Sequence, residues 1–421
     1  MAAHHDLSVG TLTCCQVCNS TRLQPVIDLG HQPPCDSLLW PHQRNEPETS
    51  YPLRLFFCED CSLVQIDHVV APEVLFFPDY PYRSGITATL VEKLSRTAQS
   101  TLGRFQVEPG SLVIDIGSND GTVLSAFKQR GMRVLGVEAT NIAQIANQSG
   151  IETLQAFFDE TVAARIVRDY GHASVMTATN VFAHVAGLGT IMRGVSALLE
   201  DGGVFVTESH YILDLIETLQ YDSIYHEHLR YYSLKSIIRL FEQYDFTVAD
   251  VERIDNYGGS IRVFAVKGRG RPVSDAVRDL LATEREAGLY EGAVYQAFAE
   301  RVRRSRRDLL AKVLEIRAAG HTLCGIGCPG RSSTLLNYVG IDPDLMPYIA
   351  EQSSSLKLGL FLPGMHIPIV DEERMFREQP DYALMLSWHY ARPIIAKLRQ
   401  RGLRSKIILP LPEVTIDIAQ G

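Results

Sequence analysis

Two short apolar runs flank an amphipathic stretch between Leu112 and Glu138. Leu112 to Ile116 (LVIDI) is apolar apart from Asp115, the turn Gly117 to Gly121 reads GSNDG, and Val134 to Val137 is a second apolar run that ends at Glu138. Apolar runs of this length bounded by glycine predict buried strands of a parallel sheet, and the stretch between them carries apolar positions at helical spacing. The pattern continues. IETLQAFF predicts a third strand, ASVMTATNVFAHV a fourth strand with its loop, and GGVFVTESHY a fifth, while a helical stretch from about Thr87 to Leu102 precedes the first. Strands alternating with helices predict a doubly wound α/β domain. Beyond it, VSDAVRDLLATEREAGLYEGAVYQAFAERVRRSRRDLLAKVLEIRAAG predicts two charged helices, of which RVRRSRR is a solvated face. A second strand, glycine turn and helix follow in HTLCGIGCPGRSSTLLNYVG, with Gly325, Gly327 and Gly330 in the turn. PYIAEQSSSLKLGLFLPGMHIPIV and YALMLSWHYARPI supply strand ends and loops of the same second sheet.

A chain of 421 residues exceeds one ordinary core, so the expectation is three domains, 1–75, 76–268 and 269–421. With 46% hydrophobic and 21% charged residues it reads as globular. A net charge of -9 argues against a general grip on nucleic acid or anionic membrane. No apolar run approaches the roughly 20 residues of a membrane span, and MAAHHDLSVG lacks signal-peptide regions, so the expected location is cytoplasmic.

The cysteines change the picture of the first 75 residues. Cys15-Gln-Val-Cys18 and Cys58-Glu-Asp-Cys61 are two CxxC pairs, each a turn that presents two thiolates to one tetrahedral ion. Four thiolates fit a structural zinc and leave no open position for a catalytic water. Cys14 adjoins the first pair at poorer spacing, and Cys35, Cys324 and Cys328 are expected to pack.

The first glycine turn points to a nucleotide-like cofactor. Asp115 is placed to accept from an ammonium, Gly117 to let the backbone approach a ligand, and Glu138, about twenty positions on, to hold two ribose hydroxyls. A dinucleotide fingerprint needs glycine where this chain has Asn119, and Asp120 would repel a pyrophosphate. The turn instead resembles motif I of class I S-adenosylmethionine-dependent methyltransferases, with Asp115, Gly117 and Gly121 matching its acid and glycines. Phe158 and Asn180, at the ends of the third and fourth strands, complete the expected cofactor set with Asn119.

The stretch YDSIYHEHLRYYSL follows the fifth strand, where an α/β sheet delivers residues to its ligand crevice. Tyr225, His226, Glu227 and His228 together offer a base near neutral pH, a carboxylate to orient it and a phenol to face an oxyanion. Metal binding by the HEH triplet, set on a strand, is the competing reading, with no third ligand in view. YHEHLRYYSL, the paired CxxC turns and DIGSNDG resemble the matching blocks of nucleotide-sugar C-methyltransferases that build branched deoxysugars, over residues 12 to 415. That resemblance implies a zinc-binding N-terminal domain, a class I methyltransferase domain with a Rossmann-like sheet, a C-terminal Rossmann-like domain, and a TDP-linked 4-keto sugar methylated at C3. It further implies that His228 is the base, with Glu227 and Tyr225 beside it and Tyr80 or Tyr82 facing the sugar. His226, and Arg331 with Lys357 at the second glycine turn, are the expected substrate contacts, the latter two for a diphosphate. The chain departs from its relatives in Asn256-Tyr257-Gly258-Gly259-Ser260, where many carry histidine directly before GGS, in GIGCPGRSS and in SWHY. The implied partner is a small molecule, and the implied assembly a monomer or homodimer.

Overall fold

A computed structural model describes residues 6–75 and 88–417, so Tyr80 and Tyr82 lie outside the described residues. In the central part, five parallel strands run in the order Thr153–Gln155, Arg133–Glu138, Leu112–Ile116, Ala173–Thr179, Leu199–His210. Ser260–Lys267 then runs antiparallel beside Leu199–His210, and Phe246–Ile254 closes the edge. All five residues of Leu112–Ile116 are buried, as a parallel strand covered on both faces requires, and this includes Asp115. The strand order reverses between Leu112–Ile116 and Ala173–Thr179, which opens a crevice beyond their carboxyl ends.

The N-terminal part is an antiparallel sheet of Leu23–Gln32, Tyr51–Cys58 and Val64–Ile66. Its fourth strand is Arg230–Tyr231, which comes from the YHEHLRYY block and pairs with Val64 and Gln65. The block that the sequence assigns to the central domain therefore joins the N-terminal sheet, and Tyr232 just beyond that strand bridges Tyr211, just after the central strand Leu199–His210.

The C-terminal sheet has the order Ile369–Asp371, Ile349–Glu351, Leu323–Ile326, Tyr382–Met385, Lys406–Leu409, all parallel, with Thr415–Asp417 antiparallel at the edge. The helix Gly292–Ala318 buries Tyr295, Phe298, Val302, Leu309 and Val313 at helical spacing, and Tyr295 stacks on Phe57 of the N-terminal sheet at 4.4 Å. Within RVRRSRR only Val302 and Ser305 turn inward. One continuous apolar core includes Leu55, Ile114 and Leu384, one residue from each sheet. Among the described residues no helix is long and apolar enough to cross a membrane.

Candidate active site and metal centre

The four cysteine sulfurs of the CxxC turns lie within 4.8 Å of one another, with Cys15 3.4 Å from Cys61 and Cys18 3.5 Å from Cys58. Thiolates about 2.3 Å from one tetrahedral ion stand about 3.8 Å apart, so this set is shaped for zinc. Each turn closes through a left-handed residue just after its second cysteine, Asn19 (φ 57°) and Ser62 (φ 61°). Cys14 stays outside the cluster, and its carbonyl accepts from Gln65.

The crevice of the central sheet opens into a cleft of about 1230 Å³ lined by all three parts of the chain. Single-ligand pockets span roughly 300–1,000 Å³, so the cleft has room for a cofactor beside an acceptor. At one end stands Asp115, whose carboxyl burial pushes up to about 7 while the Thr177 hydroxyl donates to it at 2.6 Å. An ammonium placed there would hold it as the carboxylate. Glu138 accepts from the Asn119 amide at 3.0 Å, and from the Thr140 amide and hydroxyl at 2.9 and 2.7 Å. A carboxylate has about four acceptor sites, so one is left for a ribose hydroxyl. Asn119 reaches this contact with φ 50° and Asn180 sits at φ 56°, its buried Oδ1 without a partner among the described residues. Such an orphaned acceptor, next to Asp115 and Glu138, fits S-adenosylmethionine.

Gly117 and Gly121 are also needed, though the first for a reason the sequence does not show. At Gly117 (φ 67°) a Cβ would stand 2.5 Å from Val181, so a neighbouring side chain excludes it before any ligand does. At Gly121 (φ 81°) it would press on Ile151 at 3.0 Å. Phe158 lines the cleft from a largely buried position, while Phe157 presents the exposed ring at the rim. Glu138→Ala is expected to weaken S-adenosylmethionine binding about ten- to a hundredfold in a calorimetric titration, for the lost charge-assisted bond to the ribose. An unchanged dissociation constant would place the ribose elsewhere.

The HEH triplet lies in an irregular turn after the 3-10 turn Tyr221–Ser223, not on a strand. Successive residues therefore face different domains. His228 places Nδ1 2.8 Å from the Ser223 carbonyl. A carbonyl only accepts, so Nδ1 carries the proton and Nε2 keeps its lone pair. Burial, then the adjoining His184 and His210 rings, hold its pKa well below the ordinary 6.5. Tyr225 packs on it at 4.0 Å between ring centres, and burial keeps that phenol protonated far above neutrality. Glu227 accepts from the Cys35 thiol at 3.5 Å, so Cys35 serves this site rather than packing alone.

His226 turns away, which corrects its expected contact with substrate. Its Nε2 meets the Pro52 carbonyl at 3.2 Å, its ring lies 5.8 Å from Tyr51, and it does not line the cleft. The sequence reading missed His184 and His210, whose rings each lie 4.7 Å from that of His228. It also missed Tyr257 and His389 on the cleft wall. The signal was available: His184 follows the fourth central strand and His210 ends the fifth, both at carboxyl ends. Asn256 is buried and donates to Glu208 at 3.2 Å, while Tyr257, directly before GGS, lines the cleft.

Arg331 and Lys357 both reach the cleft, but not as a free anion cradle. Lys357 Nζ pairs with Asp36 at 3.1 Å and donates to the Cys328 carbonyl at 2.9 Å. The Cys328 amide in the second glycine turn donates to Glu351 at 2.8 Å, so a carboxylate of the protein already occupies the place assigned to phosphate. Arg331 donates to Gln220 at 3.0 Å and keeps Nη1 unpartnered among the described residues.

Three family models match successive stretches of the chain. Residues 15–76 match a family described as a zinc binding domain, 83–251 a methyltransferase domain, and 255–412 a C-methyltransferase C-terminal domain. C-methyltransferase NovU of Streptomyces niveus is 35% identical over 415 residues, 97% of this chain and 97% of that protein. Among solved structures, magnesium protoporphyrin IX methyltransferase of Synechocystis PCC 6803 with bound SAM is 12% identical, with a TM-score of 0.33, and covers 42% of this chain and 79% of that one. An S-adenosylmethionine-dependent methyltransferase of Clostridium acetobutylicum is also 12% identical, with a TM-score of 0.34 over 42% of this chain and 92% of that one.

Proposed function

The chain belongs to the C-methyltransferase family, and from that membership we propose that it methylates C3 of a nucleotide-linked, TDP-bearing 4-keto deoxysugar with His228 as general base. The chain is an S-adenosylmethionine-dependent methyltransferase with a zinc-binding N-terminal domain. The observation that supports the finer reading is the His228 Nδ1 contact with the Ser223 carbonyl, which leaves Nε2 as an acceptor in a buried cluster on the cleft wall.

S-adenosylmethionine, when bound, supplies an electrophilic methyl group on sulfur. His228 Nε2 takes the C3 proton, and the C–H electron pair moves onto the C4 oxygen as an enolate. Tyr225, protonated and beside the imidazole, is the donor for that oxygen. C3 of that enolate is the nucleophile toward the methyl group that a bound cofactor would supply. Asp115 and Glu138 would hold the cofactor, and His228 stands buried at the cleft wall with the half-buried Tyr225 packed on it. Tyr80 and Tyr82 remain proposed sugar contacts.

The engaged Lys357 and the Glu351-filled turn favour a second reading, in which the acceptor is a natural product without a diphosphate, methylated on carbon, oxygen or nitrogen. Incubation with a panel of TDP-4-keto sugars and S-adenosylmethionine, followed by mass spectrometry, separates the two. The expected result is a sugar nucleotide heavier by one methylene, with deuterium entering C3 from heavy water when the cofactor is withheld. A methylated product without such exchange would remove the carbon-acid mechanism.

A further inference from the structure

The C-terminal sheet meets the catalytic block at the 3-10 turn Tyr221–Ser223, whose last carbonyl faces the Nδ1 proton of His228. On its own such a turn is weak: its bonds are Ser223 N to Gln220 O at 3.0 Å and Ile224 N to Tyr221 O at 3.1 Å. Its side chains are gripped from the other domain. The Trp388 indole donates to Asp222 at 2.7 Å, and Arg331 Nε lies 3.6 Å from the same oxygen. Thr334 Oγ1 donates to the Ile224 carbonyl at 2.9 Å, and Tyr338 meets Tyr221 edge-on at 5.7 Å. Asp222 is fully buried, a place a carboxylate holds only where donors meet it.

We propose that Asp222, Trp388 and Thr334 are positioning residues for the general base: their clamp fixes the turn, the turn keeps the Ser223 carbonyl on Nδ1 of His228, and Nε2 thereby stays free to accept the acceptor's proton. This rests on His228 being the base. It gives the second sheet a part in the chemistry that needs no ligand of its own, in agreement with the carboxylate that fills its glycine turn. Were the carbonyl to swing away, the buried ring would lose the contact that separates its tautomers, and the Nε2–H form cannot accept a proton at Nε2, the nitrogen turned to the acceptor.

The test uses the full-length zinc-loaded protein with 15N-labelled histidine, in which ring-nitrogen spectra distinguish Nδ1–H from Nε2–H. The His228 signal is the one missing from His228→Asn. Trp388→Phe removes the indole donor and Thr334→Val the hydroxyl donor, and neither residue lines the cleft. Both are expected to move His228 from pure Nδ1–H to a tautomer mixture and to lower kcat on the TDP-4-keto sugar turned over by wild type about tenfold or more, with KM and the S-adenosylmethionine dissociation constant unchanged. Thr334→Ser, which keeps the hydroxyl, should restore both readouts. Variants that bind the cofactor normally, keep a pure Nδ1–H His228 and turn over at the wild-type rate would overturn the proposal. Full turnover by His228→Asn would instead overturn the base assignment, and with it the clamp's catalytic purpose.

Discussion

Replacing His228 by asparagine is expected to cut kcat by about a hundred- to ten-thousandfold with KM near wild type, the usual contribution of a positioned general base. Deuterium entry at C3 should vanish with it, because exchange and methylation share the deprotonation step. The pH profile carries the same assignment. Burial and the neighbouring His184 and His210 hold the imidazole's pKa well below 6.5, so it is neutral and competent throughout the neutral range. Turnover is lost only as the pH falls through that lowered value, and the acid limb should lie below the position of an ordinary histidine. Glu227→Gln is expected to cost less than His228→Asn, and the double variant less than the product of the two fold-losses, because both act on one proton transfer. Tyr225→Phe should cost about 2–4 kcal/mol of transition-state stabilisation if the phenol faces the enolate oxygen. A His228→Asn protein with full turnover and intact exchange would move the base to His184 or His210, whose rings share the cluster.

What the sequence made legible is what local periodicity and short motifs encode. Leu112–Ile116, Arg133–Glu138 and Ala173–Thr179 fall where apolar runs and glycines place them, since strands packed on both faces are apolar along most of their length. The CxxC turns converge as their spacing requires, because two residues between ligands leave few other ways to point both sulfurs at one ion. His226 failed for the opposite reason. Adjacent residues of an irregular turn have no fixed facing, and only the pairing of Arg230–Tyr231 with Val64 and Gln65 decides which histidine meets the N-terminal sheet and which the cleft. Lys357 and Arg331, expected to hold a diphosphate, do line the cleft, but their partners Asp36, Gln220 and Asp222 come from distant segments that no motif joins to them. His184 and His210 are single residues without a motif, brought together by strand ends alone.

That shared sheet sets the last expectation, which concerns the metal. Freshly purified protein should contain one zinc per chain, and Cys58→Ser or exhaustive chelation should unfold the N-terminal sheet, since structural zinc contributes on the order of 10 kcal/mol or more of folding free energy. Turnover should fall to background as well, although no cysteine of the metal cluster lines the cleft. The connection is structural. Arg230 lies on the strand that completes the zinc-bearing sheet, is fully buried, and donates to the Val185 carbonyl at 2.6 Å, which pins the loop carrying His184. His226 is anchored to Pro52 of the same sheet, two residues from the proposed base. Losing the metal therefore releases both His184 and His228, while Asp115 and Glu138 on the central sheet keep their supports from Thr177, Thr140 and Asn119. Amide exchange should lose protection at residues 51–66 and 230–231 and keep it at 112–116, and S-adenosylmethionine affinity should change far less than kcat. Metal-free protein that stays protected at 64–66 and turns over at the wild-type rate would show that the N-terminal sheet stands without zinc and that the catalytic turn is held from the C-terminal side alone.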